Sequence, residues 1–244
     1  MGLCFAFVSG KGGTGKSTVS CGLAMQFSQL GKKVLIIDLD EGLRCLDMLF
    51  GIEKDVVFDL SDVLNGEKEL EDAIYKAPFS DNISIVPAPQ TAGNIKPEPL
   101  CGLINAQLSN YDVIILDMPA GVDFSCLSNV SRQLYFVTVC NADPVSVRDA
   151  AAVASVLPDC DNETRLIINR FEPSLIKAGL YDNIDEIIDK SGLRLIGIVP
   201  QSFELNLLPV KHMLGKKGRA SKALGRIALR LLGADVRLPN PKKI

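Results

Sequence analysis

Tryptophan is absent from this chain of 244 residues, aromatics make up only 6% of it, and His212 is its single histidine. One imidazole cannot supply a His-based metal cluster, and no Ser-His-Asp arrangement can be built around it. It follows Lys211 in a loop-like stretch and reads as a surface residue. No run of 18 apolar residues occurs, so the chain offers no candidate for a membrane-spanning helix. Its first residues lack a basic region followed by an apolar one, which argues against a secretory leader. The seven cysteines (4, 21, 45, 101, 126, 140 and 160) contain no C-x-x-C pair. An odd count in apolar settings such as LCF and TVC predicts reduced, buried thiols and a cytoplasmic chain. Internal repeats and low-complexity stretches are missing as well. A net charge of −3 and a pI near 5.3 speak against a dedicated nucleic-acid binder.

What is present is aliphatic. Apolar residues reach 47%, and runs of Val, Ile and Leu alternate with helical patterns along the chain. That alternation predicts an α/β fold, a doubly wound and mainly parallel sheet flanked by helices, in one domain over residues 1–244. Strands are expected at Leu3–Val8, Val34–Asp38, Ile83–Val86 and Val113–Leu116, with two more ending at Arg170 and Gln201. A helix is expected at Val19–Leu30, closed by Gly31. The Pro-rich stretch Pro87–Pro99 reads as a loop. In such sheets ligands sit at the carboxyl ends of the strands. Gly10, Asp38, Asp117, Asn169 and Pro200 all fall just past predicted strand ends.

The densest signal is SGKGGTGKST, Ser9 to Thr18. Gly10, Gly15, Lys16 and Ser17 satisfy G-x-x-x-x-G-K-[S/T], between a predicted strand and a predicted helix. The glycines allow backbone amides to approach phosphate oxygens, and the helix N-terminus adds its dipole. Lys16 supplies a point charge to the β- and γ-phosphates, and the Ser17 hydroxyl is placed to ligand Mg²⁺. The expected nucleotide contacts are Gly10, Lys11, Gly12, Gly13, Thr14, Gly15, Lys16, Ser17 and Thr18. Lys11 is one cation more than such a loop needs, and at the rim it could reach phosphates across a subunit interface.

This loop resembles the deviant Walker motif of the MinD/ParA family of dimerising P-loop ATPases. Further segments resemble the family in its own order. Asp38 to Gly51 (DLDEGLRCLDMLFG) is similar to the first switch region, closest to the MinD branch. Asp117-Met118-Pro119-Ala120-Gly121 is similar to the second switch, and Asp143 to Ala150 (DPVSVRDA) to the segment that opens a dimer-facing helix. The strands ending LIINR and IGIVPQ match the places where the family holds adenine. The resemblance covers residues 1 to about 232. It departs from the MinD branch in three places: Cys45 stands where Asn is usual, Ala151 where a carboxylate is frequent, and LPNPKKI where an amphipathic membrane-targeting helix is typical.

The resemblance implies ATP and Mg²⁺ as cofactors and slow ATP hydrolysis as the activity. Lys11, Lys16 and Asp40 become the catalytic candidates, with Lys11 reaching the partner subunit's nucleotide and Asp40 orienting the attacking water. Ser17 is the direct Mg²⁺ ligand, Asp40 and Asp117 reach the metal through waters, and Asp38 supports the loop and metal shell. Asn169 is placed to read the adenine edge, Arg170 to stack on the ring, and Pro200 to contact the base. No arginine finger is evident in cis, and such a group is worth about 10³ to 10⁵ in rate. Hydrolysis is therefore expected to rise on ATP-dependent homodimerisation.

Two function classes follow. One is a division-site switch with a protein partner of the inhibitor or activator type. The other is a related ATPase handling different cargo: DNA, flagellar components or an iron–sulfur cluster. Between Leu205 and Ile244 stand ten Lys or Arg against one acid, Asp235, although the whole chain has 26 basic and 29 acidic residues. In Arg219 to Leu232 the basic positions 219, 222, 226 and 230 face away from an apolar stripe, the pattern of a last helix packed on the sheet. Membrane association is accordingly expected to be weak and salt-sensitive, DNA binding is not expected, and the protein is placed mainly in the cytosol, with a peripheral pool at the inner membrane face as the alternative.

Overall fold

The computed structural model describes residues 2–121, 123–127, 129–130, 133–157, 164–215 and 217–241. Cys160, Lys216, Lys242 and Lys243, which figure in the sequence reading, lie outside the described residues. The strands are β1 (Leu3–Val8), β2 (Val34–Asp38), β3 (Tyr75–Ala77), β4 (Ser80–Val86), β5 (Val113–Asp117), β6 (Leu134–Asn141), β7 (Arg165–Phe171) and β8 (Arg194–Pro200). The helices are α1 (Lys16–Gln29), α2 (Leu46–Phe50), α3 (Leu60–Leu64), α4 (Pro97–Gln107), α5 (Pro144–Val156), α6 (Ser174–Lys177), α7 (Ile184–Ser191), α8 (Phe203–Asn206), α9 (Leu208–Lys211) and α10 (Arg219–Leu231).

The described strands form one sheet in the order β3-β4-β2-β5-β1-β6-β7-β8. Every neighbouring pair is parallel except β3–β4, which is antiparallel at the edge. The chain winds outward from β1 in one direction and, after β5, in the other. This makes β1 the topological switch point, where a ligand crevice opens beyond the strand ends. Because both faces are covered, β1 is buried without polar alternation. Phe5 and Phe7 pack with Val19, Leu23 and Phe27 of α1, while Cys4, Ala6 and Val8 face Leu100 and Ile104 of α4. A third apolar layer puts α5 and α7 over β7 and β8 through Val147, Ala150, Ile187, Ile168 and Ile198.

Helix α10 closes the face on which α1 lies. A Cβ on Gly197 would come 2.2 Å from Ile227, and one on Gly22 would come 2.6 Å from Leu224. Both glycines are therefore needed where α10 approaches β8 and α1 closely. Gln26 donates to Ser221 at 3.2 Å across the same contact. Ala220, Ala223, Leu224, Ile227 and Ala228 are buried, whereas Arg219 and Lys222 are exposed. Arg226 and Arg230 are half-buried, and Arg230 donates to the Val236 carbonyl. The basic stripe is thus the outer side of a core helix.

Some sequence expectations change. The helix after the glycine loop starts at Lys16, ahead of Val19, because its polar first turn carries no apolar period. Pro97 to Pro99 belong to the first turn of α4 rather than to the preceding loop; proline fits there because it gives up an amide that has no helical partner. Helices α2, α3, α6, α8 and α9 and strand β3 span three to five residues each, too few to show a period in sequence. His212 is not an open surface residue: it adopts φ +52°, half-buried, and its ring fills the space beside Gly51.

Candidate functional site

The loop between β1 and α1 is shaped by its glycines. Gly15 takes φ +84°, and a Cβ there would meet the Asn169 amide at 2.4 Å. At Gly10 a Cβ would lie 2.7 Å from the Asp149 carbonyl, so the loop's first turn rests against α5. Gly12 and Gly13 have open space where a Cβ would project. They face a cavity of about 260 Å³ lined by the loop from Gly12 to Thr18, by Asp40 and Ala120 of the two switch-like segments, and by Arg170. These features fit a phosphate chain: bare amides at a helix N-terminus, with a lysine beneath them.

Lys16 is buried and donates to Asp117 Oδ1 at 3.1 Å. Ser20 lies 3.0 Å from the same oxygen. Asp117 Oδ2 is buried with no hydrogen-bond partner among the described residues. Asp38, next to Asp117 in the sheet register, is spoken for differently. Its Oδ1 accepts the Asp40 amide at 3.0 Å, and its Oδ2 accepts the amides of Cys45 and Leu46 at 3.1 and 3.2 Å. The carboxylate therefore organises the turn carrying Asp40 and the start of α2. Burial and the neighbouring Asp117 push Asp38 up to about 7, against the pull of those amides. Asp40 is also raised, by burial, with Lys16 countering and Asp117 adding. A dication would reverse that bias. The donor set is all oxygen, from Ser17 and carboxylates, and so suits Mg²⁺.

Cys45, which stands where the MinD branch carries Asn, contacts the Ser17 hydroxyl, and burial pushes its thiol up to about 12. Glu41 was not foreseen. Its carboxylate accepts the amides of Gly93, Asn94 and Ile95 at 3.0, 2.7 and 2.8 Å, pinning the Pro-rich stretch to the first switch segment. An acid in a turn carries no sequence signal for a partner 52 to 54 positions away. The cysteines among the described residues are unpaired, and Cys101 Sγ lies 3.2 Å from the Cys126 carbonyl.

A second cavity, about 230 Å³, adjoins the first through Gly15, Thr18 and Arg170. Asn169, Pro200, Gln201, Leu205 and Pro209 line it. Asn169 is buried and donates from Nδ2 to the Thr14 carbonyl at 2.8 Å, while its Oδ1 has no partner among the described residues. One end of the amide thus braces the phosphate loop and the other is an acceptor for an exocyclic amine. Arg170 takes φ +52°, a costly conformation for a side chain that is not glycine, at the junction of the two cavities. Of the residues expected at phosphates, metal and base, Gly12 to Thr18, Asp40, Asn169, Arg170 and Pro200 line the two adjoining cavities, whereas Asp117 is buried against Lys16, Asp38 is held by backbone amides and Gly10 rests on α5. Lys11 points to the rim, 3.6 Å from Asp143 at the N-cap of α5, with both side chains about two-fifths exposed.

No described helix is long and apolar enough to cross a membrane. The family model described as the CobQ/CobB/MinD/ParA nucleotide-binding domain matches residues 5–214. The septum site-determining protein MinD of Bacillus subtilis is 34% identical over 247 residues, covering 98% of this chain and 92% of that protein. That of Thermotoga maritima is 31% identical over 250 residues, with the same coverage. Among solved structures, a MinC:MinD cell division protein complex from Aquifex aeolicus aligns with a TM-score of 0.86 and 31% identity, over 98% of this chain and 99% of its counterpart. Pyrococcus horikoshii MinD complexed with Mg-ADP gives a TM-score of 0.81 and 25% identity, over 97% of this chain and all of its counterpart. With a family model over most of its length and near-full-length relatives above 30% identity, the chain belongs to the CobQ/CobB/MinD/ParA family of nucleotide-binding proteins.

Proposed function

We propose that this chain is an ATP-driven switch of the MinD type that acts in placing the division site. The observation that carries the reading is the buried Lys16–Asp117 pair, with Asp117 Oδ2 lacking a partner among the described residues, where Lys16 lines the same cavity as Gly12, Gly13, Asp40 and Ala120. Near-full-length similarity to MinD proteins supplies the biological setting. The continuous sheet supports treating residues 1–244 as one domain.

Phosphoryl transfer to water needs positioning and charge neutralisation more than covalent help. The amides of Gly12, Gly13 and Gly15 and the Lys16 ammonium bind the β- and γ-oxygens. Ser17 directly, and Asp117 and Asp40 through waters, would hold Mg²⁺, which would supply charge neutralisation at the leaving phosphate. Asp40 orients the attacking water. Asp38 fixes the turn on which Asp40 rides, so a change at the γ-phosphate propagates to α2. Asn169 and Pro200 receive the base. Lys11 completes the site of a second copy in an ATP-closed homodimer, because in its own subunit it sits on Asp143 rather than over the loop. A protein of the MinC class is the partner this reading names, since a solved relative is captured as a MinC:MinD complex. Any membrane contact through the basic outer side of α10 is weak, and the protein is mainly cytosolic.

The test is sedimentation velocity of the full chain with Mg²⁺ and either ATP or ADP, in parallel with anionic vesicles and with duplex DNA. An ATP-specific dimer that leaves DNA in the supernatant supports the switch. ATP-dependent co-sedimentation with DNA replaces the division-site role with a partitioning one.

A further inference from the structure

Ser20 is wholly buried on α1, one turn after Lys16. Its hydroxyl lies 3.0 Å from Asp117 Oδ1 and 3.0 Å from the Lys16 carbonyl oxygen. One proton faces two acceptors. The Lys16 carbonyl already receives the helical amide four residues on, and a carboxylate is the stronger acceptor, so the proton belongs to Asp117. Lys16 Nζ donates to that same oxygen at 3.1 Å. Oδ1 thus has two donors, whereas Oδ2, buried, has no partner among the described residues. This asymmetry fixes one oxygen of the carboxyl group and leaves the other free to accept, next to Lys16, which itself lines the cavity under the glycine loop.

We propose that Ser20 is a positioning residue for the divalent cation. It retains Asp117 Oδ1 when Lys16 turns its ammonium to the phosphates, and so keeps Oδ2 directed at the water shell of Mg²⁺ beside Ser17. The assignment rests on the reading that the site takes a Mg²⁺–nucleotide. Lys16 cannot do this alone, because the β- and γ-phosphates compete for the donors that hold Asp117. Asp38, the neighbour in the β2–β5 register, has both oxygens turned to backbone amides and makes no hydrogen bond to Asp117. Without the Ser20 hydroxyl, the carboxyl group loses its last fixed side-chain donor at the moment the metal needs it. Partners that orient a metal's direct ligands change metal affinity about 10- to 100-fold, and because Asp117 acts through the shell's waters the lower end of that range applies.

The experiment uses the full chain and a fluorescent ATP analogue, titrated at a series of Mg²⁺ concentrations, and so reads binding rather than turnover. In Ser20→Ala the Mg²⁺ concentration giving half of the metal-dependent gain in affinity should rise about tenfold, while affinity without Mg²⁺ is retained. Ser20→Cys fills nearly the same volume but is a weak donor, and should follow Ser20→Ala. An unshifted Mg²⁺ dependence in Ser20→Ala, in a wild type that does respond to Mg²⁺, overturns the role of Ser20 alone. So does a Ser20→Cys chain that matches wild type, since packing rather than the hydrogen bond would then explain the effect. Loss of cooperative thermal unfolding in both variants would make Ser20 a packing residue and also overturn the assignment. A wild type whose nucleotide binding ignores Mg²⁺ overturns both this assignment and the reading beneath it.

Discussion

Lys16 and Asp117 are paired at 3.1 Å inside the fold, their side chains 7% and 0% exposed. They join the end of β5 to the start of α1, so the pair belongs to the fold as well as to the site. Lys16→Ala should abolish nucleotide binding, because among the described residues Lys16 is the one Lys or Arg buried at the loop. It should also destabilise the protein by about 3–5 kcal/mol, since it leaves a buried carboxylate uncompensated beside Asp38. Urea denaturation and equilibrium nucleotide binding on the same preparation check both parts. Asp117→Asn in the Lys16→Ala background should recover part of the stability and none of the binding. Retained ATP affinity in Lys16→Ala would remove the site assignment.

Asp40 is placed on the cavity wall but forms no ion pair that the loop depends on, and its backbone rather than its carboxylate bonds Asp38. Asp40→Ala should therefore keep ATP bound, block hydrolysis and accumulate the ATP-bound dimer. Single-turnover phosphate release and size-exclusion chromatography with ATP are the measurements. A monomeric elution profile with ATP would contradict either the role of Asp40 or the link between ATP and dimerisation.

Lys11 rests on Asp143, 3.6 Å away at the surface, where an ion pair is worth roughly 0–1 kcal/mol. Removing Lys11 should then leave folding and ATP binding nearly unchanged while eliminating the rise of specific turnover with protein concentration. Thermal melting and a turnover series across the dimerisation range separate the two effects. Specific turnover of the wild type that stays flat over that range would argue against a lysine acting in trans.

Asn169 lines the second cavity, bonds the phosphate loop with one end of its amide and has no partner for the other among the described residues. Asn169→Ala should weaken ATP binding by about 1–3 kcal/mol, the usual consequence of leaving a buried polar partner unmatched. Discrimination between ATP and GTP should narrow at the same time. Competition binding with both nucleotides tests this; an unchanged ratio would mean that the base is read elsewhere.

Gly197 tests the packing of α10. A methyl group there would overlap Ile227 at 2.2 Å in a layer without slack. Gly197→Ala is expected to destabilise by about 1–3 kcal/mol, with nucleotide affinity preserved in the folded fraction. A denaturation midpoint equal to wild type would show that α10 can shift on the sheet.

The sequence alone was enough for the fold class and for most of the segments that line the candidate site. Buried parallel strands announce themselves as unbroken aliphatic runs, and β1, β2 and β5 are found where those runs lie. The phosphate loop is equally local, since its glycines, lysine and serine act within ten consecutive residues. Asp38, Asp117 and Pro200 are the last residues of β2, β5 and β8 rather than just past them, and Asn169 lies two residues before the end of β7, so all four stand at the carboxyl edge of the sheet that the aliphatic runs mark. What the sequence could not decide are the pairings between distant residues that set each side chain's job. Asp38 and Asp117 look alike as strand-end acids. Only the fold gives Asp38 three backbone amides and gives Asp117 a lysine and a buried hydroxyl. Ser20 reads as an unremarkable helix residue until β5 brings a carboxylate 3.0 Å from it, 97 positions along the chain. Glu41, Cys45 and the docking of α10 against Gly22 and Gly197 have the same origin. Periodicity reports which face of an element is buried, whereas the partner met on that face is a property of the packed chain.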